Sequence, residues 1–296
     1  MQKVLITGAN GFLGYYLSQL LLQKSFVVVA TGKGTCRLPF TAEQFSYESM
    51  DVTDKESVES AFRKYCPDIV VHCAALSKPD ECEQNKQSAF LTNVSGTIHL
   101  LEAAAKFKSF FIFLSTDFVF DGSKGMYCED DDRKAVNYYG QTKILAEDEV
   151  KKYPYAWSIV RTVLVYGKPV MSRQNLLTMV ANGLSRGEQL KIFGDQVRTP
   201  TYVEDLDSAI YRIISKKSVG VFHVSGEDVR TPYQMAVEVA HHLGLDSEAI
   251  KEVAENDFAQ PARRPLKTGF NIAKAKSVLN FQPISFAEGL KKTFEE

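Results

Sequence analysis

The sequence predicts an α/β fold, a doubly wound parallel sheet with a smaller C-terminal lobe, and three observations carry that expectation. Short β-branched apolar runs alternate with helix-periodic segments over residues 1–165, the pattern of repeated βαβ units. The runs are apolar at nearly every position, as in strands covered on both faces. A glycine-rich turn joins the first run to the first helical segment. After residue 165 the rhythm changes. Residues 166–296 are therefore expected to form mainly the second lobe, with some segments returning to the sheet.

Taken in order, the expected strands are Val4–Ile6, Phe26–Ala30, a third just before Asp51, Ile69–Val71, Phe110–Leu114 and Trp157–Val160. Between them lie helical patterns at Phe12–Lys24, Asp54–Tyr65, Gln84–Lys106 and Gln141–Lys152. Beyond the boundary, helices are expected at Asn175–Ser185, Val203–Ser215, Pro232–Leu243 and Ala273–Leu279, with strand-like pieces at Leu190–Phe193 and Val219–Val224. No internal repeat or low-complexity segment interrupts this order.

Composition narrows the functional classes. With 35 basic against 36 acidic residues in 296, nothing points to a nucleic-acid or membrane surface. No apolar run approaches the ~20 residues needed to span a bilayer. Met1-Gln2-Lys3 runs straight into the first strand without a signal-peptide pattern. The five cysteines (Cys36, Cys66, Cys73, Cys82 and Cys128) lack CxxC spacing, so the reading is reduced thiols in the cytoplasm and no metal site. His241 and His242 are adjacent and so diverge on a helix. The acidic run Glu129–Asp132 reads as a solvated loop.

The turn after the first strand has glycines at 8, 11 and 14: Thr7-Gly8-Ala9-Asn10-Gly11-Phe12-Leu13-Gly14. Glycine allows a tight turn and close approach of backbone to a pyrophosphate, with the next helix aiming its N–H groups at that anion. This makes the sheet a Rossmann-type dinucleotide site, with Gly8, Asn10, Gly11, Phe12, Leu13 and Gly14 around the phosphates. The second strand runs on as Ala30-Thr31-Gly32-Lys33-Gly34-Thr35-Cys36-Arg37, without the acidic residue that would hold an NAD ribose. Beside Thr31, Lys33 and Arg37 can neutralise a 2′-phosphate. NADP(H) is therefore the preferred cofactor, with NAD(H) possible. Asp51 and Val52 are placed to meet the adenine. Cys73, Ala74 and Ala75 let the cofactor approach the fourth strand, and His72 is read as packing locally.

The fifth strand ends in Ser115-Thr116-Asp117, where open α/β sheets bind ligands. Further on, Tyr139 and Lys143 stand four apart on one helix face, whereas Tyr138 points elsewhere. This set suits ketone reduction, because the carbonyl oxygen gains charge as hydride arrives and needs a proton donor and an oxyanion partner. Tyr139 would donate the proton and Thr116 would bond the oxygen. Lys143 would lower the tyrosine's pKa and reach the ribose hydroxyls.

These motifs, with Asn93-Val94-Ser95-Gly96-Thr97 and Arg161-Thr162-Val163-Leu164-Val165-Tyr166-Gly167, resemble the extended short-chain dehydrogenase/reductases. Ser115–Gly122, Pro200-Thr201 and Glu204-Asp205-Leu206 resemble most the dTDP-4-dehydrorhamnose reductase family. The resemblance implies Thr116, Tyr139 and Lys143 as the catalytic set, with Asn93 helping to build the site beside the cofactor. It also implies reduction of a 4-keto-6-deoxy sugar on a nucleotide, with Thr116 and Asp117 near the sugar. Leu164 stands where rhamnose-forming members often carry Trp, and Tyr15 where their acidic metal site would have Glu. Arg198 and Arg264, each close to a proline, are candidates to hold the nucleotide diphosphate; the competing use is pairing with acidic residues such as Asp195 or Glu204.

Two alternatives accompany that reading. One is an NAD-dependent sugar-nucleotide epimerase or dehydratase, although Phe118 follows Asp117 where a dehydratase would carry a second carboxylate. The other is a non-catalytic regulatory subunit resembling that of methionine adenosyltransferase. The sequence is compatible with a homodimer.

Overall fold

The computed structural model describes residues 1–171, 174–257 and 260–295. Among the described residues, seven strands form one parallel sheet in the order β10-β6-β5-β4-β1-β2-β3. They are β1 Lys3–Thr7, β2 Val27–Gly32, β3 Phe45–Ser49, β4 Ile69–His72, β5 Phe110–Thr116, β6 Trp157–Thr162 and β10 Gly220–Val224. The order reverses between β1 and β4, which opens a crevice at the carboxyl ends of these strands. Valine and isoleucine runs with no exposed side chain, such as Val28-Val29 and Val70-Val71, form the central strands because helices cover both faces.

On one face, α1 (Phe12–Gln23) and α8 (Val203–Lys216) bury Leu17, Leu21, Ile210 and Ile213 against the sheet. On the other, α2 (Lys55–Tyr65), α5 (Gly96–Phe107) and α6 (Tyr138–Lys151) contribute Phe62, Leu100, Ala146 and Val150. A third core lies in the C-terminal half. There α7 (Leu176–Ser185), α9 (Pro232–Leu243) and α11 (Phe286–Phe294) bring together Leu177, Met235, Val239 and Leu290. Two short parallel pairs complete the structure, β7 (Val165–Tyr166) with β9 (Thr201–Tyr202) and β8 (Leu190–Phe193) with β11 (Ile250–Val253).

Besides α8, two further C-terminal segments return to the sheet layer. Strand β10 pairs with β6 from Gly220↔Ser158 to Val224↔Thr162, and α10 (Ala273–Leu279) packs Ala275 and Leu279 on the same face as α1.

Three expectations need correction. The single helix over Gln84–Lys106 is instead α3 (Pro79–Gln84), α4 (Lys86–Phe90), a π-helical turn at Leu91–Ser95 and α5. Asn85, at φ −128° and ψ 60°, separates the first two. The π turn presents Asn93 sideways, and its amide bonds both backbone groups of Leu76 and the Thr142 hydroxyl. Helix α6 begins at Tyr138 rather than Gln141, capped by the Asn137 side chain on the Gly140 N–H. The loop at Glu129–Asp132 is more than solvated. As β10 is an edge strand, the His223 N–H needs an acceptor, and the Glu129 carboxylate supplies it at 3.0 Å.

Candidate functional site

The glycine turn is pressed against the end of β4. Gly8 has φ +67°, and a Cβ there would lie 2.8 Å from the Ala74 nitrogen; at Gly14 it would lie 2.6 Å from the Ala9 Cα. Gly11 caps α1 with no side-chain bond, and the first turn of α1 holds no acidic residue. The turn therefore offers backbone N–H groups and a helix dipole to an anion, and its tight backbone packing leaves no room for a Cβ at Gly8 or Gly14. This fits the pyrophosphate of a dinucleotide.

Beneath the turn, Thr7 binds the His72 ring at 2.7 Å, and the other ring nitrogen lies 3.0 Å from the Thr97 hydroxyl. Burial, with Lys143 nearby, lowers His72 to about 3, so the ring is neutral and holds strands together. The Thr31 hydroxyl is likewise spent on the Ile6 carbonyl at 3.1 Å. Burial pushes the Cys73 thiol up to about 12, which makes it an apolar lining group. Val52 is buried, and a Cβ on Gly96 would lie 2.8 Å from its side chain.

At the end of β2, Lys33 is 83% exposed and its ammonium lies 2.8 Å from the Asp51 carboxylate. Lys33→Ala is expected to weaken NADPH binding by roughly tenfold, the scale of one charge-assisted bond to phosphate, and to leave NADH nearly unchanged. Titration of cofactor fluorescence checks this; equal effects on both would reduce Lys33 to a surface cation.

The candidate catalytic residues converge at the end of β5. Thr116 donates to the Asp117 carboxylate at 3.1 Å and accepts the Phe118 N–H at 3.2 Å, and its hydroxyl also interacts with that of Tyr139. One turn along α6, the buried Lys143 ammonium donates to the Leu114 carbonyl at 2.6 Å and lies 4.0 Å from the Phe113 ring centre. Gly140 makes this convergence possible, because a Cβ there would run into the Phe118 carbonyl.

Burial raises Tyr139 well above the ordinary tyrosine value, with the Thr116 bond opposing and Asp117 adding to the rise. The Lys143 ammonium is turned to the Leu114 carbonyl. Tyr139 is thus a protonated acid at neutral pH. Burial lowers Lys143 to about 8, against the pull of Glu147. Asp117 is raised by burial and partly restored by Arg198, and it also accepts the Thr268 hydroxyl.

The two expected diphosphate cations have protein partners, and the Asp195 charge acts on Arg198 after that of Asp117. Arg198 is 3% exposed. It donates to the carbonyls of Val197, Leu266 and Pro265 at 2.9, 3.0 and 2.7 Å, and its Nε is 3.8 Å from Asp117. Arg264 forms a two-pronged ion pair with Asp80 at 2.7 and 2.5 Å. Leu164 sits in the left-handed region at φ +35°, between the sheet core and the C-terminal core.

Sequence reasoning missed a buried support under this set. Glu147 is fully buried and takes Arg161 at 2.9 and 2.8 Å, Ser115 at 2.6 Å and Arg133 at 3.1 Å. Its spacing from Lys143, one further turn along α6, was the available signal. Among the described residues, no group of three His, Cys, Asp or Glu is arranged to hold a metal, and no helix is long and apolar enough to cross a membrane.

Known proteins match over the whole chain. The family described as RmlD substrate binding domain covers residues 1–296. A spore coat polysaccharide biosynthesis protein, SpsK of Bacillus subtilis, is 29% identical over 100% of this chain and 98% of its own length. The methionine adenosyltransferase 2 subunit beta of Mus musculus is 28% identical over 99% of this chain and 87% of its own. The crystal structure of dTDP-4-dehydrorhamnose reductase from Bacillus anthracis in complex with NADP superposes with a TM-score of 0.87 at 27% identity, covering 99% of each chain. A dTDP-4-dehydrorhamnose reductase from Clostridium acetobutylicum also gives 0.87, at 30% identity over 99% of this chain and 98% of that one. With the turn, the strand order and the Tyr-Lys helix in place, the chain belongs to the RmlD substrate binding domain family.

Proposed function

We propose that the protein is an NADPH-dependent reductase of a nucleotide-linked 4-keto-6-deoxy sugar. The observation that carries this is the convergence of Thr116, Tyr139 and Lys143 at the carboxyl end of β5, within the crevice headed by the glycine turn. The bound NADPH would supply hydride to the carbonyl carbon. Tyr139, protonated at neutral pH, gives its proton to the carbonyl oxygen, and the Thr116 hydroxyl holds that oxygen while charge builds. Lys143 below its pKa supplies a positive charge behind them and can reach the ribose. Together, hydride and proton turn ketone into alcohol and leave NADP⁺. Residues 1–165 serve the cofactor and residues 166–296 mainly the sugar nucleotide, apart from the segments that rejoin the sheet layer. A reducing, cytoplasmic setting suits the five free cysteines.

Arg264 is the better of the two phosphate candidates, because Arg198 is saturated by carbonyls that its removal would strand. Arg264→Ala is expected to raise the KM for a nucleotide-linked keto sugar by about tenfold, from lost charge-assisted bonds. The cofactor KM should stay constant, and a keto sugar without its nucleotide should be poor and indifferent to the change. Initial-rate kinetics with both substrates measure this; an unchanged KM would remove Arg264 from the binding site.

A second reading has an observation of its own: relatives named as methionine adenosyltransferase subunits align over nearly the whole chain. A regulatory subunit would bind a partner enzyme without consuming NADPH. Screening nucleotide-linked 4-keto-6-deoxy sugars with NADPH oxidation as readout separates the two.

A further inference from the structure

The loop leaving β2 carries Lys33 and Arg37 and makes no regular pairing of its own. It is held by a hydrogen-bond knot centred on Tyr47, a β3 residue opposite Ala30 in the sheet. The Tyr47 hydroxyl lies 3.0 Å from the Gly32 carbonyl and 3.0 Å from the Gly34 carbonyl, the carbonyls of the residues on either side of Lys33. It also accepts the Asn10 side-chain amide at 2.9 Å. The same amide donates to the Thr35 carbonyl at 3.0 Å, and its oxygen accepts the Arg37 N–H at 3.0 Å. The Arg37 guanidinium lies 3.4 Å from the Asn10 carbonyl. Asn10 belongs to the glycine turn, so the knot ties the pyrophosphate turn to the loop bearing both cations. Two of the three bonds of the Asn10 amide go to the loop, at Thr35 and Arg37, and the third goes to Tyr47.

Gly34 makes the loop turn, with φ +79° and nothing within 4 Å of where a Cβ would stand. An unbraced loop of this kind samples many conformations, and binding a phosphate between Lys33 and Arg37 would then carry the cost of ordering it. Asp51 holds Lys33 from the far side at 2.8 Å and is itself fixed by the Thr53 N–H and hydroxyl at 3.0 and 2.8 Å.

We propose that Tyr47 is a positioning residue for cofactor choice: through its hydroxyl and Asn10 it braces the Gly32–Arg37 loop so that Lys33 and Arg37 are preset for the 2′-phosphate of NADPH. The proposal rests on the reading that those two cations receive that phosphate. NADH lacks the group, so presetting the two cations acts on the ratio of the two affinities.

The test is Tyr47→Phe, which removes one oxygen from a half-buried ring, with Kd for NADPH and NADH measured by fluorescence titration in wild type, Tyr47→Phe and Lys33→Ala. The expected result is that Tyr47→Phe raises the NADPH Kd about five- to tenfold, the scale of one or two lost hydrogen bonds, while the NADH Kd stays within about twofold. The unchanged NADH value also reports that the variant is folded. If Lys33→Ala abolishes the preference and Tyr47→Phe keeps it, the bracing role is overturned and the phosphate site stands. If wild type binds both cofactors equally, the phosphate site falls and the role of Tyr47 falls with it.

Discussion

Tyr139→Phe is expected to lower kcat by about 10²–10⁴, the range for loss of a positioned general acid, while NADPH still binds. The ring remains to pack against Phe118, 5.9 Å away between centres, so what disappears is the acidic hydroxyl. Tyr138→Phe should be far milder. Its ring lies under the Lys86 ammonium at 5.3 Å, and its N–H bonds Glu83, which places it against α3 and α4 and away from Thr116. The pH dependence has a definite sign. Burial brings Lys143 down to about 8, so its charge is present below that pH and is lost above it. The kcat/KM for ketone reduction should therefore fall as pH rises through about 8, long before the buried tyrosine could ionise. Near-normal turnover in Tyr139→Phe, or a larger loss in Tyr138→Phe, would reassign the acid.

The second large effect concerns stability. Glu147→Ala would leave the Arg161 guanidinium buried, 1% exposed, without its carboxylate. Removing one partner of a buried pair costs about 3–5 kcal/mol, and at this chain length that lowers Tm by roughly 5–8 °C. Arg133→Ala, which removes a partly exposed member of the same network, should cost much less. Burial alone would raise Glu147, but the bonds from Arg161 and Ser115 more than offset it and leave the carboxyl below its ordinary value. The stabilisation is therefore fully present above the ordinary glutamate range and is lost as pH falls through the lowered pKa. The gap between wild type and Glu147→Ala should narrow on acidification. Thermal melts at several pH values measure it, and a variant melting within about 1 °C of wild type at neutral pH would show that the network contributes no net stability.

Much of the site is legible in the sequence because it rests on local patterns. The glycine turn, the apolar strands and the Tyr139–Lys143 spacing each depend on residues within a turn or two of one another. The short final helix α11 was equally legible, with Ser285 capping and Phe286, Leu290 and Phe294 on one face, yet it was not identified. What stayed hidden depends on contacts far apart in sequence. The interruption of Gln84–Lys106 reflects what Asn93 must reach on Leu76 and Thr142. The pairing of Arg264 with Asp80 joins positions 184 residues apart, which a local reading of charge cannot supply. Glu129 looked like one more solvated acid until β10 came to lie beside β6 with an N–H to satisfy. Tyr47 is one polar ring on a short strand, and only the path of the β2–β3 loop around its hydroxyl shows what it holds.

The most direct test of the central claim is NADPH oxidation by the purified protein, followed by absorbance, with a panel of nucleotide-linked 4-keto-6-deoxy sugars and with Tyr139→Phe in parallel. Stoichiometric NADPH consumption and formation of the corresponding 4-hydroxy sugar nucleotide by wild type, with turnover lost in the variant, is the predicted result. Tight NADPH binding with no oxidation of cofactor on any keto sugar, and no difference between wild type and Tyr139→Phe, would contradict it.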